Sequence, residues 1–214
     1  VFMQPDLGTS LVYIAIFIGM VFVSGIHMRL VRIMGTVGTL LMPFAWFILT
    51  DYQNQRLLVF INPDIDPFGS GYHMIQSKIA IGSGTILGKG LFNGTQSQLN
   101  FLPENHTDFI FSVIGEELGF IGCSIVLMLL FLLIYRSISV AYTCNDKFGM
   151  LLAVGIGSML AFEVLVNVGM TMGIMPVTGI PLPFISYGVS AVTTNMISIG
   201  ILLNISNQRT KYMF

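Results

Sequence analysis

Charge is scarce in this chain. Only 9% of its 214 residues are Asp, Glu, Lys or Arg, against roughly 25% in a soluble domain. A globule with so little charge could not keep its surface wet, which excludes an ordinary water-soluble enzyme. An apolar content of 54% excludes a disordered chain. Cysteine is almost missing too. Cys123 and Cys144 form no CxxC pair and fall in or beside apolar segments, so neither a disulfide framework nor a zinc site is expected and both read as buried thiols. A basic excess is absent as well: 9 basic residues face 10 acidic ones, for a net charge of −1. Nothing there would hold a nucleic acid. An integral membrane protein remains.

What is present is apolar sequence in long runs. A helix crosses ~30 Å of hydrocarbon with about 20 apolar residues. Residues 7–26, 33–50, 118–135, 149–172 and 184–206 meet that need, the fourth interrupted only by Glu163. Pro176, Pro181 and Pro183 separate the last two runs, since proline removes a backbone donor and ends helices. The expected fold is an all-α polytopic integral membrane protein, one transmembrane domain over residues 1–214 with about five spans. No charged segment with a cleavage site precedes the first run, so it does not read as a signal peptide. The chain begins at Val1 and reads as a fragment of a longer protein.

A polar region at residues 51–117 separates the second and third runs. A connection of that length is normally functional. Within it, residues 73–87 suggest a short amphipathic helix carrying Ile75, Ile79 and Ile86, suited to a membrane surface. Five alternating spans place Arg29, Arg32, Arg136, Lys147, Arg209 and Lys211 on one side, in short segments. Arg56, Lys78 and Lys89 fall on the other. The positive-inside rule makes the first side cytoplasmic and the 51–117 loop extracytoplasmic.

The reactive residue types gather in that loop. It ends in a segment with Glu104, His106, Thr107 and Asp108 just before an apolar run. If the segment is helical past Pro103, Glu104 and Asp108 lie four apart on one face. A carboxylate at a low-dielectric boundary has its pKa raised, which suits it to accept a proton. The residues alone equally allow Thr107 or Asp108 to be only the cap of the third helix. Upstream, Gln76, Ser77 and Lys78 precede a Gly-rich stretch, and Lys89 lies between Gly88 and Gly90. Such glycines let backbone approach a ligand and lysine offers charge to phosphate, while a solvated surface loop explains the same pattern. No Walker motif is present. Glu163, a carboxylate inside a span, is a functional candidate, or else is answered by Asn167 four residues on or by chain beyond this fragment.

Several motifs in fixed order now become recognisable: Gln4-Pro5-Asp6-Leu7-Gly8-Thr9, the run from Gly71 to Gly84, Gly94-Thr95-Gln96-Ser97-Gln98-Leu99, the run from Leu102 to Phe111, Gly115-Glu116-Glu117-Leu118-Gly119 and the run from Pro181 to Gly188. Together they resemble the SEDS family (shape, elongation, division and sporulation), and the Gln76–Gly84 and Gly94–Gln98 forms look like its rod-shape branch. The resemblance implies a bacterial peptidoglycan glycosyltransferase of ten spans, of which this chain matches the C-terminal five, in the cytoplasmic membrane. It implies lipid II as substrate, a class B penicillin-binding protein transpeptidase as partner, contact with membrane lipids and no nucleic acid. It puts the catalytic carboxylate on Asp108. Glu104, His106, Thr107, Lys89, Lys78, Gln76 and Ser77 are then candidate substrate contacts. The pyrophosphate could be neutralised by Lys89, Lys78 or a divalent cation such as magnesium or manganese, for which no carboxylate cage is legible. Val189 departs from the family's usual glycine. A lipid-precursor flippase or a non-catalytic scaffold for the transpeptidase is the alternative reading.

Overall fold

A computed structural model of the chain describes residues 6–26, 29, 31–33, 35–40, 50–67, 69–99 and 101–211. Among the described residues every regular element is helical. Helix α1 (Leu7–Val23) opens on Asp6, whose carboxylate accepts from Thr9 N at 3.1 Å. Helix α2 (Asp51–Ile61) opens with the Gln53 side chain accepting from Thr50 N at 3.1 Å. A 3-10 turn (Pro63–Ile65) follows, where Asn62 accepts from Asp64 N. Helix α3 (Ser70–Ser83) is started by Asp66, whose carboxylate takes Gly69 N at 2.9 Å and Ser70 N at 3.1 Å. After the short α4 (Thr95–Gln98) come three long helices, α5 (Ile110–Thr143), α6 (Lys147–Thr171) and α7 (Val189–Lys211).

Helices α5 and α6 and residues 189–207 of α7 are long and apolar enough to cross a membrane. The expected five spans are thus matched at three places. Helix α1 is apolar but has 17 residues. Of the expected second span, residues 35–40 are helical, while 34 and 41–49 lie outside the described residues. Two boundaries differ from expectation. The third span begins at Ile110, so residues 110–117 are the first turns of a 34-residue helix rather than loop. The last begins at Val189, because Phe184 has φ 63° and the proline-rich segment before it is irregular. The amphipathic helix expected over 73–87 runs instead over Ser70–Ser83.

Ala141, Ala153, Ile156, Leu160, Leu202 and Ile205 form a buried cluster that joins α5, α6 and α7. Val12, Val166 and Ile180 join α1 to α6 and to the segment after it. Around these the outer faces are apolar, with Phe120, Met128, Leu129, Phe131 and Tyr142 exposed. A skin of this kind is stable against lipid or further helices, not against water.

Helix α5 is broken once, at Gly119, where φ is 65°. A Cβ there would collide with the backbone of Gly88 and Ile86, so only glycine fits. Into the break comes the loop after α3. Phe120 N donates to Thr85 O at 3.0 Å and Ile121 N to Ile86 O at 3.2 Å, while Lys89 N and Gly90 N donate to Glu116 O and Glu117 O at 3.0 Å each. The break exposes helical backbone groups, and the loop satisfies them.

Candidate functional site

Asp108 lies in a turn, not in a helix. Residues 103–109 form successive turns, with Glu104 at φ 52° and its carbonyl accepting from Thr107 N at 3.2 Å and Phe109 N at 3.3 Å. The expected i, i+4 helical face for Glu104 and Asp108 is therefore absent, because the tight turn at Glu104 replaces the helix. The capping role is absent too: α5 is capped at Phe109 with no side-chain hydrogen bond. The turn nevertheless brings both carboxylates to one cavity of about 350 Å³, shared with Arg56 of α2, with Asp66 just before α3 and with His73 of α3.

The main chain of this turn is held from three directions. The Asn167 amide of α6 donates to Asp108 O at 2.9 Å and to Ile180 O at 2.8 Å. Ser186 Oγ donates to Thr107 O at 2.6 Å and accepts from Leu182 N at 2.7 Å. Tyr187 N donates to His106 O at 2.8 Å. The Pro181–Gly188 motif, remote in sequence, thus carries the backbone of the His106–Asp108 motif. Asn167 is a candidate partner for Glu163; its amide is used here instead, because Asp108 O in the turn and Ile180 O in the segment after α6 both take it as donor.

Burial raises the pKa of the Asp108 carboxyl, and the neighbouring Glu104 charge raises it further. Arg56 and a hydrogen bond from Thr107 act in the opposite direction. The His73 ring stacks on Phe109 with centroids 6.0 Å apart and planes at 29°. Burial lowers the His73 pKa, against the pull of Asp66 and Glu104 and with the help of Arg56. Its Nδ1 is buried with no hydrogen-bond partner among the described residues. Arg56 Nη1 donates to Val177 O at 3.1 Å, which fixes a cation on the wall of the same cavity. Gly179 packs close to the carboxylate: a Cβ there would lie 3.4 Å from Asp108 Oδ2.

The other candidates fall elsewhere. Ser77 is fully buried, with its Oγ 2.6 Å from Ser112 Oγ and donating to Thr171 O at 2.6 Å. It ties α3 to α5 and α6 and cannot touch a substrate, which corrects its assignment as a contact. Lys89 is held 2.8 Å from the fully buried Glu116 carboxylate and 2.9 Å from Thr95 Oγ1, so its ammonium serves an internal ion pair. The same carboxylate accepts from Gln96 N at 2.9 Å, Ser97 N at 3.0 Å and Ser97 Oγ at 3.1 Å. Lys78 is exposed, its side chain lying over Gly173. Gln76 leaves its buried Oε1 without a partner among the described residues. His106 is exposed and faces a second cleft of about 730 Å³, lined by apolar groups including Ile110, Phe184, Ile185 and Val189. Thr107 turns its hydroxyl onto Glu104 Oε2 at 3.1 Å. Sequence reasoning missed Arg56, His73 and Ser186 as parts of the site. Only the unusual density of polar residues before α5 pointed their way. Among the described residues no three His, Cys, Asp or Glu side chains are grouped to hold a metal ion.

Comparison with known proteins agrees with the resemblance. The chain is 48% identical over 207 residues to peptidoglycan glycosyltransferase MrdB of Escherichia coli strain K12, covering 96% of this chain and 56% of that protein. It is 43% identical over 204 residues to stage V sporulation protein E of Bacillus subtilis strain 168, covering 95% and 55%. It is 49% identical over 159 residues to peptidoglycan glycosyltransferase RodA of Treponema pallidum strain Nichols, covering 74% and 37%. A solved chain from work on the structural coordination of polymerization and crosslinking by a peptidoglycan synthase complex superposes with a TM-score of 0.76. It is 34% identical and covered to 57% by 97% of this chain. A crystal structure of Thermus thermophilus rod shape determining protein RodA, in a variant with one aspartate replaced by alanine, gives a TM-score of 0.61. There the identity is 32%, over 96% of this chain and 51% of that one. The chain spans about half the length of the curated relatives it matches. With residues 1–211 matching the cell cycle protein family of FtsW, RodA and SpoVE, the chain belongs to that family.

Proposed function

We propose that the full-length protein containing this chain is a peptidoglycan glycosyltransferase that polymerises lipid II for cell elongation and rod shape, and that Asp108 is its general base. The observation that carries the reading is the placement of Asp108. It is a half-buried carboxylate with a raised pKa, its main chain fixed by Asn167, facing a polar cavity that also holds a cation. A base of this kind is poised nearer neutral pH than an ordinary aspartate. It takes the proton of the acceptor sugar's 4-hydroxyl. That oxygen attacks the donor's anomeric carbon with inversion, and the bond to undecaprenyl pyrophosphate breaks. One base suffices, since no covalent intermediate forms.

Arg56 supplies positive charge on the cavity wall, where it can offset a leaving pyrophosphate. The neighbouring apolar cleft at His106 and Phe184 suits an isoprenoid chain. Lys78 remains a candidate contact for the phosphates. Lys89 is better explained by Glu116. A cation that accompanies the pyrophosphate is compatible with the reading. The 51–117 region faces the extracytoplasmic side of the cytoplasmic membrane, where the sugar is, and a class B penicillin-binding protein crosslinks the product.

The test is Asp108→Asn in the full-length protein. Asparagine keeps the shape and removes the charge and the proton-accepting capacity. The variant inserts and binds its transpeptidase partner, while polymerisation of purified lipid II, read as glycan length on a gel, falls by roughly 10²-fold or more. Chains of normal length from this variant would end the catalytic reading.

A further inference from the structure

The loop between α3 and α4 carries four large apolar side chains turned outward. Ile86 is 65% exposed, Leu87 77%, Leu91 62% and Phe92 79%. In a solvated loop this would be an unstable surface. Its position in depth supplies another setting. The loop is hydrogen-bonded to α5 at the break around Gly119, through Thr85 O to Phe120 N and Ile86 O to Ile121 N. Those two residues open the strongly apolar part of α5, and Phe120 is itself 70% exposed. Ile86 and Leu87 therefore lie level with Phe120 and Ile121, about three turns into α5 from its start at Ile110.

Hydrocarbon requires that backbone polar groups find internal partners, and several in this loop have them. Gly88 N donates to Gly84 O at 2.8 Å, Lys89 N to Glu116 O and Gly90 N to Glu117 O. The carbonyls of Thr85, Ile86 and Gly90 accept from Phe120, Ile121 and Asn93 respectively. The one charge between residues 86 and 92, Lys89, points back into the protein and is neutralised by Glu116. On α3, Ile75 and Ile79 are exposed one turn apart, which extends the apolar surface along the helix leading into the loop.

We propose that residues 86–92 are a membrane wedge: Ile86, Leu87, Leu91 and Phe92 insert among the acyl chains of the bilayer at the level of the N-terminal part of the α5 span. The occupant of this surface is bulk lipid. Anchored this way, the loop fixes the depth of the segment from Gly94 to Asp108, which hangs between it and α5. The inference rests on the geometry of the loop and stands whether or not Asp108 is the base.

The experiment is spin labelling of the full-length protein in lipid nanodiscs, with a nitroxide on Leu87→Cys, Phe92→Cys and, as the aqueous reference, Asp64→Cys, in a background without other cysteines. Collisions with dissolved oxygen, which concentrates in hydrocarbon, are compared with collisions with a water-soluble nickel chelate. Labels at 87 and 92 should favour oxygen, and the label at 64 should favour nickel. Nickel accessibility at 87 and 92 equal to that at 64 would overturn the wedge. Exclusion of both reagents at 87 and 92 would also overturn it, because protein rather than lipid would then cover the loop. Two independent positions guard against one substitution disturbing the fold.

Discussion

The side-chain amide of Asn167 donates to the main-chain carbonyl of Asp108 at 2.9 Å. One residue of a long apolar helix thereby sets where a carboxylate 59 positions earlier in the chain can point. The amide also satisfies Ile180 O, and Asn167 is fully buried. Asn167→Leu would leave two buried carbonyls without a donor, at roughly 1–3 kcal/mol for each unsatisfied group. The expected outcome is a lower melting temperature of the full-length protein in detergent and a loss of polymerisation larger than the loss of folded protein. Unchanged melting and unchanged rates would mean that the turn around Asp108 holds itself.

The acid limb of the rate profile should report the Asp108 carboxyl. Burial and then the Glu104 charge raise its pKa, and a base works only when deprotonated. Activity therefore rises with pH through a midpoint above the ordinary aspartate value. Glu104→Gln removes the second cause and leaves the first. The midpoint should move toward lower pH, measured as initial rate against pH at saturating lipid II. A midpoint that stays in place or moves upward would separate Glu104 from Asp108.

Glu116 gathers five donors around a carboxylate with no exposed surface. Removing one side of a buried ion pair costs about 3–5 kcal/mol. Glu116→Ala should approach that figure. Lys89→Ala should cost less, since the lysine side chain is 28% exposed and four donors remain. Thermal unfolding of the two variants gives the ranking. Added magnesium should rescue neither, because the lost group is internal. Restored activity of Lys89→Ala with magnesium would return Lys89 to the substrate.

Ser186→Ala removes the bond to Thr107 O and the acceptor for Leu182 N. Since the hydroxyl holds main chain rather than substrate, kcat should fall with little change in KM. The steady-state split between the two constants is the measurement, and a pure KM effect would contradict it.

Much of the helical frame was legible because its signal is additive. Each charge-free run of sufficient length announces a span, and α5, α6 and α7 answer three of them. The boundaries were less legible. Glu116 and Glu117 look like loop residues, yet they sit in the first turns of α5 because Gln96, Ser97, Lys89 and Gly90 satisfy them from elsewhere in the chain. Ser77 illustrates a different gap. Its neighbours in sequence suggest a ligand-facing motif, but rotation about the α3 axis turns the hydroxyl to Ser112 and Thr171. The density of reactive groups makes Asp108 a candidate, and the family resemblance singles it out. Its companions His73 and Arg56 come from α3 and α2, and only the fold brings them to one cavity.

The order of the restraints along the chain has a consequence for biogenesis. Lys89, Thr95, Gln96 and Ser97 all precede Glu116, so the segment they belong to cannot set until α5 has begun to emerge from the ribosome. The groups that fix Thr107 and Asp108 come later still, from Asn167 and from Ser186. During synthesis the carboxylate therefore waits through some eighty further residues before its main chain is locked, as the separation between Thr107 and Ser186 records. A ribosome stalled before residue 167 has made the carboxylate but none of the later side chains that hold its turn.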